Sequence, residues 1–301
     1  MIELALGMIA QVLRISVPYA LAAIGGAFSE RGGVINIALE GILLTGAFGA
    51  AAVTIATGNP WLGVIGGMLA GALLASIHGL VTIWGRADQI LSGLALNLLA
   101  LGATRGGLKI LYDSASNSDR FEGVPALGRP DSALLSLLGQ PLFLVAVAVT
   151  FGAHALLFRT RFGLALRAAG DGPRALDGTG LSVNLHRFGG VLLSGFFGGL
   201  AGTWLVMEQH SFTDGMSNGR GYIALAAMIV GKWRPLGAAL ACLLFGAAET
   251  LQIRVDSDVV PTQLLQALPY IVTLVVLAGW IGRAHPPLHL GEPYEREKGR
   301  S

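Results

Sequence analysis

The fold class is decided by residues 61–84, which read WLGVIGGMLAGALLASIHGLVTIW. This run contains no Asp, Glu, Lys or Arg. A helix needs about 20 consecutive, mostly apolar residues to cross the hydrocarbon core of a lipid bilayer. Residues 61–84 meet that requirement in both length and polarity, and they are therefore predicted to span a membrane.

Seven further stretches on either side of this run have the same apolar character. They are residues 2–28, 34–56, 90–111, 141–158, 188–207, 235–253 and 262–282. A ninth apolar run, residues 221–231, is too short to cross a membrane as a regular helix. The sequence therefore predicts an all-α, polytopic transmembrane bundle of about eight to nine spans, in which the short run belongs to a discontinuous helix.

The bulk composition agrees with this prediction. Hydrophobic residues make up 53% of the chain and charged residues 13%, whereas soluble domains usually carry about 25% charged residues. The formal net charge of only +2 argues against a nucleic-acid-binding protein. The single cysteine, Cys242, can form neither an internal disulfide nor a thiolate metal cluster. The expected environment of the chain is membrane lipid.

No enzyme motif is recognisable in the sequence. A phosphate-binding loop needs a Gly five residues ahead of a Gly-Lys-Ser/Thr sequence. Here Gly231-Lys232 is followed by Trp233, and Ala226 takes the place of the upstream Gly. We therefore predict that the chain is not an enzyme, hydrolyses no ATP and binds no cofactor or metal itself. His78, which lies in an apolar run, is predicted to serve helix packing, and so is His154.

Lys and Arg are distributed unequally between the two sets of loops, if residues 221–231 count as a crossing. One set holds Arg31, Arg86, Arg159, Arg161, Arg167, Arg174, Arg187, Lys232, Arg234, Arg283, Arg296, Lys298 and Arg300. The other set holds only Arg120, Arg129, Arg220 and Arg254. Because cytoplasmic loops carry the excess of basic residues, loop 159–187 and the carboxyl terminus are predicted to be cytoplasmic and the amino terminus to be outside.

Arg14 lies within the first predicted span, where a charge facing lipid is costly. Two alternatives follow. Either residues 2–13 lie along the outer membrane interface, or the Arg14 side chain faces the helix bundle.

Residues 30–41 do not read as an ordinary span. Two glycines, Asn36 and Glu40 lie where a helix would enter the bilayer, and their spacing predicts that Asn36 and Glu40 share one helix face. A carboxylate inside the membrane is costly and is a functional-site candidate by default. The alternatives for Glu40 are contact with a transported ligand, or a structural bond to free backbone amides or to a neighbouring helix.

Residues 215–224, which precede the short apolar run, are similarly interrupted by glycines. Non-helical backbone at membrane depth must line a cavity or be buried in protein. Paired interrupted segments in the two halves of a chain are typical of a transport pathway between inverted repeats. We therefore expect an inverted-repeat core, with the pathway near residues 36 and 222.

The loop 159–187 is long for a connection between spans. Within it, residues 172–181 are predicted to form a short helix, because Pro173 suits a first helical turn and Gly180 suits a helix end. A loop with a helix of its own is predicted to contact another protein. The polar segment 283–301 is predicted to be a solvated cytoplasmic tail, which leaves residues 1–282 as the transmembrane domain.

Four sequence blocks resemble those of one transporter family, in the same order. They are Ser29–Gly41, Asp88–Asn97, Phe162–Gly170 and Gly219–Ala227. They are similar to blocks of ABC importer permeases in the branched-chain amino acid and simple-sugar group, and most similar to the nucleoside-type members. The resemblance covers roughly residues 14–282.

This resemblance implies a function and a set of partners. The chain would form half of the translocation pathway of an ATP-driven importer in the inner membrane, with a nucleoside as substrate, or alternatively a simple sugar or branched-chain amino acid. Its partners would be a second, homologous permease, a cytoplasmic ATP-binding subunit that hydrolyses ATP, and an extracytoplasmic substrate-binding protein. Loop 159–187 would contain the coupling helix that docks on the ATP-binding subunit.

Candidate residues fall into two groups. The expected pathway residues are Asn36, Glu40, Asn97 and Tyr222, and the expected ATPase-coupling residues are Arg167, Asp171, Pro173, Arg174 and Asp177. The competing hypothesis is a secondary transporter working alone, for which Glu40 and Glu249 are the candidate ion-coupling acids. An intramembrane enzyme is a weaker alternative, because no catalytic set is visible.

Overall fold

The structure is a computed structural model that describes residues 2–128, 132–254, 271 and 285–295, and its regular elements are helices. They are α1 (Ile2–Arg31), α2 (Leu39–Thr57), α3 (Pro60–Gly79, continued by a π-helical turn at Leu80–Trp84), α4 (Gln89–Tyr112), α5 (Ala133–Leu138), α6 (Pro141–Arg159), α7 (Arg161–Asp171), α8 (Pro173–Gly178), α9 (Val183–Gln209), α10 (Arg220–Val230) and α11 (Pro235–Arg254). The predicted all-α class is confirmed.

Among the described residues, seven helices are long and apolar enough to cross a membrane: α1, α2, α3 with its π-helical turn, α4, α6, α9 and α11. They correspond to seven of the eight predicted spans. The eighth, residues 262–282, lies outside the described residues apart from residue 271. The short apolar run forms α10, which has 11 residues and is bounded by glycines at positions 219 and 231. The chain is a multi-pass membrane protein.

Helix α9 is the centre of the bundle and packs against α1, α2 and α3. The crossings are close because glycines face each other across them. A Cβ atom built at Gly46 would overlap the backbone of Gly199, and one at Gly202 would overlap the carbonyl of Leu43. Close backbone approach through small residues is a main source of helix association in membranes, so these glycines define the core.

The first interrupted segment differs from its prediction. Helix α1 continues through Arg31, and α2 begins only at Leu39, so residues 32–38 form a non-helical, re-entrant segment. Gly33 has a positive φ of 91°, and the Ser29 hydroxyl donates to the Val34 carbonyl at 2.8 Å. The prediction that Asn36 and Glu40 share one helix face is therefore wrong, because Asn36 precedes the helix.

The loops gather at two ends of the bundle. At one end, residues 116–121 and 210–214 pair through backbone hydrogen bonds of 2.8–3.1 Å. At the opposite end, Arg31 donates to the carbonyl oxygens of Lys232 and Trp233 at 3.0 and 3.1 Å, next to α7. These contacts agree with the alternation of loops on which the predicted orientation rests.

Arg14 forms an ion pair with an acid of the central helix. Helix α1 is continuous from Ile2 to Arg31, and the Arg14 Nε atom lies 2.9 Å from the Glu208 carboxylate on α9. The Arg14 side chain remains 44% exposed, and Glu208 is the next-to-last residue of α9, so the pair lies at the surface near the end of that helix. A paired charge is the usual way in which a membrane helix accommodates an arginine.

Residues 285–295 of the predicted solvated tail are mostly exposed, but their backbone is bonded to the bundle. The Gly291 N–H donates to the Gly33 carbonyl at 3.0 Å, and the His289 N–H donates to the Gly170 carbonyl at 2.9 Å. Both bonds fix the segment to the end of the bundle that carries α7 and α8. The polar composition of the segment gives no sign of these contacts, because backbone groups make them.

Candidate functional site

Glu40 joins the N-termini of two helices. It lies in the first turn of α2, and its two carboxylate oxygens accept hydrogen bonds from the N–H groups of Gly219 and Gly221, each at 2.7 Å. The first N–H groups of a helix have no partner within the helix, and the helix dipole places positive charge there. The Glu40 carboxylate therefore caps α10 and also complements the dipole of α2.

Asn97 on α4 holds both interrupted segments together. Its Oδ1 accepts from the Gly41 N–H at 2.8 Å. Its Nδ2 donates to the Ile37 carbonyl at 3.0 Å and to the Tyr222 hydroxyl at 3.1 Å. The structure thus brings together three of the four predicted pathway residues, Glu40, Asn97 and Tyr222. We call this group the half-helix junction.

The half-helix junction reaches the molecular surface. Tyr222 is 46% exposed, and Glu40 and Asn97 are partly exposed. Tyr222 presents an aromatic ring and a hydroxyl, next to the amide of Asn97. These groups can stack against a flat ring and exchange neutral hydrogen bonds with a polar, uncharged molecule.

Asn36 lies apart from the half-helix junction. It is fully buried, its Nδ2 donates to the Ser194 hydroxyl on α9 at 2.9 Å, and its Oδ1 accepts from the Ala38 N–H at 3.1 Å. These bonds shape the re-entrant segment and fasten it to α9. The structure does not bring Asn36 together with the other three predicted pathway residues.

His78 supports the same segment from α3. Its ring nitrogens lie 3.0 Å from the Ser92 hydroxyl and 2.9 Å from the Ile35 carbonyl, and the Gln89 side chain accepts from the Ile35 N–H at 2.7 Å. The predicted packing role of His78 is confirmed. Non-helical backbone inside the bundle is thereby provided with hydrogen-bond partners, as a membrane requires.

A second anchor of α10 was missed by sequence reasoning. Arg220, the first residue of α10, lies 3.7 Å from the Glu249 carboxylate on α11, and Glu249 also accepts a hydrogen bond from the Tyr19 hydroxyl on α1. The sequence placed Arg220 in an outer loop and offered Glu249 only as a candidate ion-coupling acid of the competing hypothesis. The available signal was Glu249, an acid in an apolar helix, which calls for a basic partner.

The predicted coupling residues lie on α7 and α8. The short helix is confirmed but is shorter than predicted: Pro173 is its first residue, it ends at Gly178, and Gly180 follows with a φ of 83°. Asp171 and Arg174 are exposed, Asp177 is partly exposed and Pro173 is buried. The exposed side chains can reach a partner protein, whereas Pro173 fixes the start of the helix.

Arg167 has different contacts from the other predicted coupling residues. Its guanidinium lies 4.9 Å from the centre of the Phe158 ring, and those of Arg31 and Arg234 each lie 6.0 Å from the same centre. Cation–π contacts of this kind are favourable by about 0.5–2 kcal/mol each. Arg167 therefore packs α7 against the ends of α1 and α6. Its side chain has this structural role in addition to supplying a positive charge.

Comparison with known proteins identifies the family. The family described as the branched-chain amino acid transport system permease component matches residues 8–277. The guanosine ABC transporter permease NupQ of Bacillus subtilis strain 168 is 40% identical over an alignment of 317 positions, which includes 96% of this chain and 99% of NupQ. The nucleoside ABC transporter permease NupC of Lactococcus lactis subsp. cremoris strain MG1363 is 37% identical over 313 residues, 97% of each chain.

A solved structure supports the fold. The match is to an inward-facing ABC transporter assigned to the metal-chelate type. The superposition includes 90% of this chain and 85% of the transporter chain, with a TM-score of 0.50 and 14% sequence identity. At that identity the likeness concerns the fold alone. The resemblance found from the four sequence blocks is confirmed by the family match, and the chain belongs to the branched-chain amino acid transport system permease family, as a multi-pass permease of the ABC transporter type.

Proposed function

We propose that this permease forms half of the translocation pathway of an ATP-driven importer for nucleosides. The observation that carries the proposal is the half-helix junction, where Glu40, Asn97 and Tyr222 meet at an exposed break between two helices. Broken helices at membrane depth are the usual location of a transport pathway. The two relatives named above for guanosine and nucleosides support the substrate class.

The chemistry of the half-helix junction suits a nucleoside. A base offers a flat ring that stacks on aromatic side chains, which contributes about 1–3 kcal/mol per base. The Tyr222 ring is exposed for such a contact, and the Asn97 amide can offer hydrogen bonds to the base or ribose. A simple sugar or a branched-chain amino acid remains the alternative substrate class.

Four pathway residues are proposed, with different roles. Tyr222 and Asn97 contact the substrate, and Glu40 positions α10 so that Tyr222 faces the pathway. Asn36, which is buried against α9, positions the re-entrant segment without contacting the substrate. Glu249 is engaged by Arg220 and Tyr19, which argues against a free ion-coupling acid and a secondary transporter.

The proposed assembly follows from the permease class. A half-channel needs a second, homologous permease to close the pathway, and a chain without a phosphate-binding loop depends on a cytoplasmic ATP-binding subunit. A substrate-binding protein would deliver the nucleoside from outside. We propose that the chain lies in the inner membrane with its amino terminus on the outer side. Residues 1–282 would form the transmembrane domain and residues 283–301 a cytoplasmic segment.

Coupling to ATP hydrolysis is proposed to occur through α7 and α8. Helix α8 with Arg174 and Asp177 docks on the ATP-binding subunit, Asp171 and Pro173 set the angle between α7 and α8, and Arg167 holds α7 against the bundle. Movement of the ATP-binding subunit then biases the bundle between its two conformations.

The proposed function is tested by uptake in cells that lack this chain. We expect selective loss of labelled nucleoside uptake, restored by the gene only when the ATP-binding subunit is active. Labelled sugars and branched-chain amino acids are measured in parallel. Loss of sugar or amino-acid uptake instead would mean that the substrate is a sugar or an amino acid and not a nucleoside. Uptake that persists without any ATP-binding subunit would contradict the proposed mechanism.

Arg174→Glu is expected to lower transport by about tenfold or more, because it reverses the charge that α8 presents to the ATP-binding subunit, and charge complementarity across an interface fixes its register. The bundle should remain folded, since Arg174 is exposed. The measurement is ATP-driven uptake into proteoliposomes, together with co-purification of the ATP-binding subunit.

The matched control is Arg120→Glu, which makes the same charge change at an exposed position in the loop after α4. Arg120→Glu should leave both the ATP-driven uptake and the co-purification of the ATP-binding subunit unchanged. If Arg174→Glu retained normal uptake and normal association, α8 would have no part in docking.

A further inference from the structure

The carboxyl-terminal segment 287–295 packs against two adjoining parts of the proposed mechanism. On one side it contacts Gly170, which is near the end of α7, and on the other side it contacts Gly33 in the re-entrant segment. A Cβ atom at Gly33 would lie 3.2 Å from both the Gly170 Cα and the His289 carbonyl oxygen. Three separate stretches of chain therefore meet at Gly33 with no space between their backbones.

Arg187 is the anchor of this contact. Its side chain is almost fully buried at the start of α9. Its Nε and Nη2 donate to the Ala169 carbonyl at 3.3 and 3.1 Å, and its Nη1 donates to the Glu292 carbonyl at 2.5 Å. A buried guanidinium is costly unless its donors are engaged. The two carbonyl partners therefore fix residue 292 relative to the end of α7.

Tyr294 extends the contact to α8. It packs against a cluster of buried side chains from α7, α8 and α9, namely Ala165, Ala169, Leu176 and Val183. Tyr294 and Glu292 also share a groove with Pro173 and Arg174. In addition, Glu295 forms an ion pair with Arg86, in the turn between α3 and α4. That pair is exposed, does not involve α8 and is expected to contribute little. Tyr294 is the side chain of the segment that packs on the cluster to which Leu176 of α8 belongs.

The contact of Gly291 with Gly33 leads to the half-helix junction. Gly33 accepts from the Gly291 N–H, and only six residues separate Gly33 from Glu40. Those residues are held by His78, Gln89 and Asn97 and include no helix before Leu39. A displacement of α8 can thus reach Glu40 through packed contacts, without passing along the length of any membrane-spanning helix.

We propose that residues 287–295 couple the ATPase-docking surface to the half-helix junction, with Arg187 and Tyr294 as positioning residues. This inference rests on the proposed function, since it assigns the route by which α8 acts on the pathway. The segment holds α7, α8 and the re-entrant segment as one body. Movement imposed on α8 is then transmitted to Gly33 and changes the position of Glu40 and of the α10 N-terminus.

The test uses the full complex in proteoliposomes and measures molecules of substrate transported per ATP hydrolysed, with the substrate that the complex carries. Tyr294→Ala removes the packing on α8 and is expected to lower this ratio by about fivefold or more, the usual scale of coupling between sites. Basal ATP hydrolysis and assembly should persist. Tyr294→Phe retains the ring and should recover most of the ratio.

Leu288→Ala is the matched control, because Leu288 belongs to the same segment but is 78% exposed. It should leave the ratio unchanged. A second variant that ends at His285 removes the whole segment and should lower the ratio at least as far as Tyr294→Ala. If the shortened chain fails to assemble, Tyr294→Ala alone decides.

The outcomes separate the two proposals. A wild-type complex that transports a sugar or amino acid, but no nucleoside, would overturn the substrate class and leave the route testable with that substrate. A normal ratio in Tyr294→Ala, with transport intact in the wild type, would overturn the route and leave the permease function unaffected. An equal loss in Leu288→Ala and Tyr294→Ala would also overturn it, because the effect would not depend on packing against α8.

Discussion

Glu40→Ala is expected to reduce transport by more than about tenfold while the complex still assembles, which corresponds to at least about 1.4 kcal/mol of lost function. The substitution leaves the N–H groups of Gly219 and Gly221 without their acceptor. An unsatisfied donor costs about 1–3 kcal/mol when it is buried, which applies to Gly221, whereas Gly219 is partly exposed. The α10 N-terminus is then no longer held against α2, and Tyr222 loses its fixed position. The measurement is uptake by proteoliposomes that contain the purified complex.

Two further variants make this test specific. Glu40→Gln keeps the shape and one acceptor oxygen but turns an amide donor toward the other N–H, so its uptake should lie between those of wild type and Glu40→Ala. Glu122→Ala removes an exposed carboxylate in the loop before α5 and should transport normally. Normal uptake by Glu40→Ala would remove Glu40 from the mechanism and leave only a dispensable cap.

The sequence predicted the spans well because hydrophobicity over about 20 residues is a local property. It identified residues 30–41 as an unusual helix entry but still counted residues 34–38 in the span, for a physical reason. This stretch is apolar and continuous with α2, but its backbone is satisfied by Gln89, His78 and Asn97 from distant positions. Periodicity carries no information about such partners, so the start of α2 was placed five residues too early.

The half-helix junction was predicted residue by residue but not as a geometry. Glu40 was identified because an acid in a membrane span is costly, and the structure shows the bonds to the free amides of α10 that its structural alternative expects. Asn36 had the same polar signal and proved to be buried against Ser194. Polarity within an apolar run thus indicates that a partner exists, without indicating whether the partner is a ligand or another helix.

The backbone contacts of the carboxyl-terminal segment were not predicted. Its composition predicts solvation, yet His289 and Gly291 bind through backbone N–H groups, which every residue except proline possesses. Burial of Arg187 at the start of α9 depends on the same contact. A single sequence reveals neither, because the contacting stretches are more than one hundred residues apart.

Gly199→Val is expected to prevent accumulation of folded protein. A Cβ atom at Gly199 would overlap the Gly67 carbonyl and lie 3.0 Å from the Met68 Cα, all of them backbone atoms of α3. Overpacking costs about 1–3 kcal/mol where side chains can move, and backbone atoms can yield only if α3 and α9 separate. With total stabilities of only about 5–15 kcal/mol, separation at the central crossing of the bundle should be decisive.

The measurement is thermal unfolding of the detergent-purified protein, with the yield of monodisperse material as a second readout, and Gly102→Val is the matched control. No heavy atom lies within 4 Å of a Cβ built at Gly102, on the exposed face of α4. Because valine favours a helix over glycine by a few tenths of a kcal/mol, Gly102→Val should unfold at the wild-type temperature or slightly above. The yield and unfolding temperature of Gly199→Ala should lie between those of Gly199→Val and Gly102→Val. A Gly199→Val protein with the yield and unfolding temperature of Gly102→Val would mean that α3 and α9 do not cross at these glycines, because the same substitution cannot be harmless where two backbones touch.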